Sequence, residues 1–212
     1  MSRELIIVTA GGFGREVHDY ATDAGFAVRG FLHDLAAYPG SLDGLGIDHL
    51  VLGPIDAHEI DPGAEYAIGL GDLAPRLAVA DALLARGARL ATVIHPSAFV
   101  SPSARLGAGV VIAPFAFIGP HAEVGDLTLV NTHASVAHDA RTGRCCILAP
   151  YAAMNGRAVL GDGAFLGTHA VVTPRRTVGA GASVSAGSVA VRDVPAGQVA
   201  IGNPARSLMV PG

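Results

Sequence analysis

Tryptophan is absent from this 212-residue sequence, aromatic residues make up only 5% of it and charged residues only 15%. So few large rings and so few charges are unusual for a helix bundle or an ordinary β-sandwich. Glycine (28 residues) and proline (13 residues) are abundant, and half of all residues are apolar. The composition therefore favours a fold with many tight turns and small interior side chains.

The charges and the cysteines exclude several classes of function. The net charge is −4 and no run of basic residues occurs, so the electrostatic footprint of a nucleic-acid-binding protein is missing. The first apolar stretch, residues 5–8, is too short for a signal peptide or a membrane span. The cysteines, Cys145 and Cys146, are adjacent and offer neither a disulfide framework nor the spacing of metal ligands. We expect a soluble, cytoplasmic protein that requires no metal.

A large aliphatic residue recurs every six positions from Ile94 to Val184. Fifteen of these sixteen residues are apolar, and Thr142 is the exception. The residue four places later is small in nearly every unit. The residue directly after the aliphatic one is often Gly or Asn, for which we expect a positive φ or a tight backbone at a corner. Three units would close a coil of 18 residues, so the pattern predicts a left-handed parallel β-helix of hexapeptide repeats.

Residues 4–90 alternate between strand and helix patterns. A strand at 5–9, a Gly-rich turn at 10–17 and a helix ending near Ala24 precede a second strand at 28–32, and a third strand at 66–69 precedes a helix at 73–85. This order predicts an α/β, Rossmann-like βαβ domain, which binds anions at the start of its helix. The string from Gly12, GFGREV, lacks the third glycine of a dinucleotide fingerprint. We expect a sugar nucleotide there, with a non-binding lid as the alternative, and we divide the chain into domains at 1–90 and 91–212.

His138 is the strongest candidate for chemistry in the repeat. Residues 18 apart should be stacked on one side of the column, so Gly156 is expected beside His138, leaving open space and an accessible N–H. Asp139 follows directly, between His121 and Arg157 in the same stacking. A carboxylate close to an imidazole stabilises its protonated form, which suits a general base.

Six segments carry a resemblance to a known family: AGGFGREV (10–17), GFLHD (30–34), DGLGIDHLVLGPID (43–56), IHPSAFVSPSA (94–104), VNTHASVAHDA (130–140) and GNPAR (202–206). Over essentially its whole length the chain resembles the NeuD/PglD-like sugar O- and N-acyltransferases. The resemblance implies a homotrimer with active sites between neighbouring subunits. It also implies transfer of an acyl group, usually acetyl, from coenzyme A to an amino or hydroxyl group of a nucleotide-linked sugar.

Carried over by position, the resemblance assigns roles to individual residues. It implies that His138 is the catalytic base and that Asp139 increases its basicity. Coenzyme A would contact Gly156, Thr168 and Ala186, with Arg206 near one of its phosphates. The nucleotide sugar would be held by six residues in the first domain: Phe13, Gly14, Arg15, His33, Asp34 and Gly69.

The chain departs from the family pattern at three places. Ile147 stands at a position where members of the family that act on bacterial amino sugars have a His near the thioester carbonyl. His33–Asp34 replaces the usual acidic pair, and Arg15 stands where some members have His. These departures leave the reaction class unchanged and bear on the identity of the nucleotide and of the acyl group.

Direct N-acylation of a nucleotide-linked amino sugar, without an acyl-enzyme, is the favoured hypothesis. O-acylation, or acylation of a free amino sugar or aminoglycoside-like acceptor, is an alternative within the same class. A γ-carbonic-anhydrase-like metal enzyme is another, because the spacing of His133 and His138 suggests two zinc ligands, although the third position holds Ser97. The last alternative is a non-catalytic protein that uses the β-helix as a scaffold. We expect Cys146, which occupies a small-residue slot, to fill the core.

Overall fold

The computed structural model describes residues 3–38, 40, 42–47 and 50–209, so Asp48 and His49 of the segment 43–56 lie outside the described residues. The chain divides into two compact units, residues 1–93 and 94–212. The division falls slightly later than the one expected from the sequence. The reason is that the Leu90–Ala91 segment still pairs with Tyr66, whose carbonyl accepts a hydrogen bond from the Ala91 N–H at 2.9 Å.

The first unit is built on a parallel sheet whose strand order, within the described residues, is β3-β2-β1-β4. Its elements are β1 (Glu4–Val8), α1 (Gly12–Asp23), β2 (Ala27–Leu32), β3 (Val51–Gly53), β4 (Glu65–Ile68) and α2 (Leu73–Ala85). The apolar run of β1 is buried from Leu5 to Val8, as is typical of a parallel strand covered on both faces. The Rossmann-like prediction is confirmed, although β3, a three-residue strand, was not expected. Neither helix in the described part of the chain is long and apolar enough to cross a membrane.

The second unit is a left-handed parallel β-helix with three faces. An eight-stranded face contains β5 (Val93–Ile94), β8 (Val111–Ile112), β11 (Leu129–Val130), β14 (Ile147–Leu148), β17 (Phe165–Leu166), β20 (Ser183–Val184), β22 (Val199–Gly202) and β23 (Ala205–Leu208). A six-stranded face contains β6 (Phe99–Val100), β9 (Phe117–Ile118), β12 (Ser135–Val136), β15 (Ala153–Met154), β18 (Val171–Val172) and β21 (Val189–Ala190). A five-stranded face contains β7 (Arg105–Leu106), β10 (Glu123–Val124), β13 (Arg141–Thr142), β16 (Val159–Leu160) and β19 (Thr177–Val178). These counts refer to the described residues.

Strands of each face pair in register at a separation of 18 residues, for example Val136 with Met154 and Val130 with Leu148. The large aliphatic residue of each unit and the small residue four places later fill the interior of the column as one continuous core. The predicted repeat is thereby confirmed. From β5 to β21 each strand contributes only two residues, one pointing inward and one outward. Nearly all of the apolar interior therefore comes from the inward aliphatic residue of each strand and the small residue of the following turn.

The glycines and the positive φ angles occupy different positions in the repeat, which corrects one expectation. Glycine directly after the aliphatic residue is required by close approach of the next coil: a β-carbon on Gly161 would lie 2.5 Å from the Ala180 nitrogen. The left-handed residue is found two places further on and is frequently not glycine, as at His133 (φ 58°) and Asp139 (φ 59°). A pleated strand ends in a tight turn at this residue, whatever its side chain.

Two edges of the column carry candidate site residues of the second unit. The ladder edge lies between the eight- and six-stranded faces and carries Phe115, His133, Tyr151 and His169, together with Thr168, Ala186 and Gly187. The His138 edge lies between the six- and five-stranded faces and carries His121, His138, Asp139, Gly156, Arg157 and Arg175.

Thr142, the one polar residue of the aliphatic series, has a structural reason. In the coils around it, the N–H after the aliphatic residue donates to a backbone carbonyl of the next coil, as Gly143 does to Leu160 (2.7 Å). At Gly125 the acceptor is instead the Thr142 hydroxyl, at 2.9 Å. The neighbouring Thr128 hydroxyl donates to the Gly143 carbonyl at 3.2 Å. The two threonines therefore provide hydrogen-bond partners to half-buried backbone groups where the ladder of carbonyls is interrupted.

We predict that Thr142→Val lowers the free energy of unfolding by about 1 kcal/mol, because it leaves the half-buried Gly125 N–H without an acceptor. Urea unfolding followed by circular dichroism measures the change. Thr177→Val is the matched control, since the Thr177 hydroxyl lies on the exposed side of β19 and makes no hydrogen bond within the described residues. Equal stability of the Thr142→Val protein and the wild type would contradict the proposed role.

Candidate active site

His138 projects from the His138 edge with its imidazole largely exposed (60%). Its Nδ1 lies 2.9 Å from Oδ2 of Asp139. An ionised carboxylate can only accept a hydrogen bond, so Nδ1 carries the proton and Nε2 is left with a free lone pair. The two residues expected to act together are therefore brought together, in the geometry that a proton acceptor needs.

Asp139 is held by charges from the neighbouring coil. Its Oδ2 lies 3.6 Å from Nε of Arg157. The hydrogen bond from His138 lowers the pKa of Asp139 below its ordinary value, and the positive charges of Arg157 and of the nearby histidines act in the same direction, while desolvation opposes them. The carboxylate therefore stays ionised throughout the neutral range and keeps orienting the imidazole.

Gly156 lies directly against the His138 ring, as its position one coil later predicts. A β-carbon on Gly156 would be 2.5 Å from Nε2 of His138 and 2.6 Å from Cε1. The imidazole thus occupies the space that the missing side chain leaves. Within the described residues the Gly156 N–H makes no hydrogen bond, whereas its carbonyl accepts one from Arg175.

The other residues expected along coenzyme A are not beside His138 in the same chain. Thr168 and Ala186 are exposed on the ladder edge, one edge away from His138. Arg206 is in β23 at the end of the column, where it lines a cavity of about 530 Å³ together with Arg192. One chain therefore brings together His138, Asp139 and Gly156 and keeps Thr168, Ala186 and Arg206 apart from them.

His133 does not converge with His138. It lies on the ladder edge, where its ring is stacked between Phe115 and Tyr151. Among the described residues, no group of three or more His, Cys, Asp and Glu side chains is arranged to hold a metal ion. The described residues of a single chain therefore do not assemble the histidine site that the carbonic-anhydrase alternative requires.

In the first unit, the segments expected to hold a nucleotide sugar all follow the carboxyl ends of adjacent strands. Phe13, Gly14 and Arg15 follow β1, His33 and Asp34 follow β2, and Gly69 follows β4. Since β2, β1 and β4 are neighbours in the sheet, these segments share one edge, the usual place for a ligand in an open α/β sheet.

Two shallow cavities lie near the end of β2. Arg15 lines a cavity of about 320 Å³ with His18 and Phe31. His33 and Asp34 line another, of about 380 Å³. Desolvation lowers the pKa of His33, although the charge of Asp34 opposes this. The Oδ1 atom of Asp34 accepts hydrogen bonds from the N–H groups of the next turn, at residues 36 and 37, so this carboxylate also shapes the loop.

The two glycines of this edge, Gly14 and Gly69, are buried and serve close packing. A β-carbon on Gly69 would lie 2.6 Å from Cα of Gly14, and one on Gly14 would lie 2.1 Å from the Thr9 carbonyl oxygen. Both keep the first turn of α1 against the strand ends and thereby position the side chains of Phe13 and Arg15.

Two residues that support this edge were not expected from the sequence. Thr9 has a positive φ of 79°, uncommon for a β-branched residue, and its hydroxyl donates to the Gly69 carbonyl at 3.0 Å. Arg76 of α2 is completely buried and donates to the carbonyls of Ile68 (2.8 Å) and Leu70 (3.0 Å). An arginine inside a largely apolar helix pattern was the available signal for the second of these.

The adjacent cysteines are buried in the column. Cys146 is completely buried in the core, as its small-residue position predicts, and burial raises its pKa to about 12. Cys145 is also buried. A thiol with so high a pKa is a poor nucleophile at neutral pH.

Comparisons with known proteins agree with this geometry. The PglD N-terminal domain family matches residues 4–83. The acetyltransferase domain of PglB from Neisseria gonorrhoeae FA1090, in complex with acetyl coenzyme A, is 31% identical, with a TM-score of 0.88 and coverage of 98% of this chain and 100% of that one. PerB from Caulobacter crescentus, in complex with CoA and GDP-perosamine, is 35% identical, with a TM-score of 0.86 and coverage of 97% of each chain.

WeeI from Acinetobacter baumannii AYE is 25% identical, with a TM-score of 0.84 and coverage of 98% of this chain and 100% of that one. No match is found among curated protein sequences. The β-helix and its exposed histidine identify the class of protein as the hexapeptide-repeat acyltransferases. Identities of 31% and 35% over nearly the full length of both chains narrow the assignment further: the chain belongs to the NeuD/PglD-like family of sugar acyltransferases.

We predict that the folded protein does not react with a disulfide reagent such as 5,5′-dithiobis(2-nitrobenzoate) at pH 8, because both thiols are buried and the pKa of Cys146 is about 12. Release of the coloured thiolate measures the reaction. In guanidinium chloride both cysteines should react at once, which provides the control. Rapid modification of one thiol in the folded protein would contradict the prediction and would favour a mechanism with an acyl-cysteine intermediate.

Proposed function

We propose that the chain transfers an acetyl group from coenzyme A to the amino group of a nucleotide-linked amino sugar, with His138 as the general base. The observation that carries the proposal is the exposed imidazole whose Nδ1 is bound by Asp139 at 2.9 Å. The relatives crystallised with acetyl coenzyme A, or with CoA and GDP-perosamine, support the two substrate classes.

In the proposed reaction, Nε2 of His138 takes a proton from the sugar amine as the nitrogen attacks the thioester carbonyl. The new C–N bond forms, the C–S bond breaks, and the imidazolium returns its proton to the leaving thiolate. Asp139 stabilises the imidazolium while it exists. The N–H of Gly156 is available to the developing oxyanion. Because both cysteines are buried, transfer is direct and needs no acyl-enzyme.

A second copy of the chain would complete the site. The outward side chains of the six-stranded face carry no charge: Phe99, Phe117, Ser135, Ala153, Val171 and Val189. If three parallel columns turn these faces toward a common threefold axis, the ladder edge of each chain meets the His138 edge of its neighbour. Thr168 and Ala186 of one protomer would then lie along the cleft that His138 of another protomer faces, and coenzyme A would occupy that cleft.

The acceptor would be held by the first unit. Arg15 offers a guanidinium to a phosphate of the nucleotide. The loop after β2, with His33 and Asp34, offers a stacking ring and a carboxylate to the base. The replacement of the usual acidic pair by His33–Asp34 changes the hydrogen-bonding pattern offered to the base, so this loop would select the nucleotide.

We predict that His138→Ala lowers kcat by about 10²-fold or more, because the amine loses its proton acceptor, while the affinity for CoA is retained. Turnover is measured by thiol release with acetyl-CoA and a panel of nucleotide-linked 4-amino sugars. Calorimetry with CoA measures binding.

Gly156→Ala is the companion variant. Alanine occupies the equivalent turn position at Ala108, Ala180 and Ala186, so the backbone accepts it, yet the new methyl would lie 2.5 Å from Nε2 of His138 and displace the ring. We expect lower turnover with a nearly unchanged melting temperature. Normal turnover by the His138→Ala protein would refute the assignment of the base, and acetylated hydroxyl products would favour O-acylation.

We predict that the protein is a trimer in solution at micromolar concentration and that Ala153→Glu dissociates it, because the charge is placed in the middle of the uncharged six-stranded face. Light scattering after gel filtration measures the mass. Val159→Glu is the matched control on the five-stranded face, where Arg141 is its neighbour in the sheet. A monomeric wild type, or loss of the trimer in the control alone, would contradict the shared site.

A further inference from the structure

Four aromatic rings form a continuous stack along the ladder edge. The ring centroids are 5.0 Å apart between Phe115 and His133, 4.7 Å between His133 and Tyr151, and 4.8 Å between Tyr151 and His169. The rings are nearly parallel, with interplanar angles of 17°, 5° and 12°. All four side chains are exposed, so the stack is a surface feature and not part of the core.

The two ends of this stack differ. Below Phe115 the next rung is Ser97, whose hydroxyl accepts a hydrogen bond from the Phe115 N–H at 3.2 Å and also contacts His95. Above His169 the next rung is Gly187, which has no side chain, and the adjacent Ala186 is small and exposed. A β-carbon on Gly187 would meet no atom of the described residues within 4 Å. Within this part of the chain, the upper face of the His169 ring therefore has no side chain of the next rung over it, and a flat space one coil high is left above it.

A planar heterocycle fits this space as a fifth rung. Bases stack on aromatic side chains, histidine included, without needing a specific hydrogen-bond pattern. The level of Gly187 is three coils above that of His138, because β12, β15, β18 and β21 follow one another in the sheet. At the ordinary strand spacing this is about 14 Å along the column. A pantetheine arm can span such a distance between a thioester and a nucleotide.

We infer that the adenine ring of coenzyme A stacks on His169 and occupies the empty rung at Gly187. The inference rests on the proposed function, since it assigns one end of the same co-substrate. It gives the exposed stack a role beyond stabilising the column: Tyr151, the ring in direct contact with His169, holds the His169 ring flat from below, and His169 presents its other face. Ala186 and Gly187 keep the approach open.

The test uses the full-length protein and 1,N6-ethenoadenine coenzyme A, whose fluorescence is quenched when the base is stacked. We expect quenching with the wild type. His169→Ala should weaken binding of this probe by about tenfold and abolish the quenching, and His169→Phe should restore both. Phe115→Ala removes a ring at the opposite end of the stack and should leave affinity and quenching unchanged. Thermal unfolding of each variant verifies that the column is intact.

The outcomes separate the inference from the proposed function. Unchanged affinity and quenching in a folded His169→Ala protein would overturn the stacking site while leaving acetyl transfer untouched. Equal losses in His169→Ala and Phe115→Ala would also overturn it, because the stack would then act only through the stability of the column. A wild type that binds the probe through His169 and yet acetylates no amino sugar would refute the proposed function alone.

Discussion

The constraint on which the second unit depends is the exact in-phase pairing of strands 18 residues apart. From β5 to β21 each strand has two residues, and every inward position is matched with an inward position one coil later. The same pairing places the turn residues in vertical columns, so neighbours in space are fixed by arithmetic in the sequence. His138 and Gly156 are in contact for this reason, and so are the rings of the ladder edge.

This constraint also decided how much of the site was accessible from the sequence. The repeat, the contact of Gly156 with His138 and the proximity of Asp139 to Arg157 all followed from counting residues. The reason for a threonine at position 142 could not be found by counting residues. There a side-chain hydroxyl replaces a backbone carbonyl as the hydrogen-bond acceptor, and this depends on the local orientation of a peptide group, which the periodicity of the sequence does not encode. A positive φ or a tight backbone was expected at the glycines that follow the aliphatic residues; the structure shows the tight backbone there. The positive φ angles lie two places later, at residues such as Asp139, since the turn sets them and not the side chain.

In the first unit the sequence was less informative. The resemblance implied ligand contacts for Gly14 and Gly69; the structure shows both glycines buried against the strand ends, where close packing requires them. Thr9 and Arg76, which hold these strand ends together, belong to no recognised motif. Thr9 donates to a carbonyl 60 residues further along the chain, a contact that becomes visible only when the sheet order is known. Arg76 donates to carbonyls eight and six residues earlier, in a connection whose path the helix pattern does not reveal. The roles toward a ligand remain predictions for all six residues: Phe13, Gly14, Arg15, His33, Asp34 and Gly69.

The two-residue strands have a consequence for how such a chain can change its length. Insertion of a single residue within a strand, for example in β15 between His138 and Gly156, would turn every later side chain by one step, exposing the interior aliphatics and burying the turn residues. Insertion of a whole coil above Ala190 would preserve all lateral neighbours and only lengthen the column. Variation in size among proteins of this architecture should therefore be quantised in whole coils, with irregular insertions restricted to the turns.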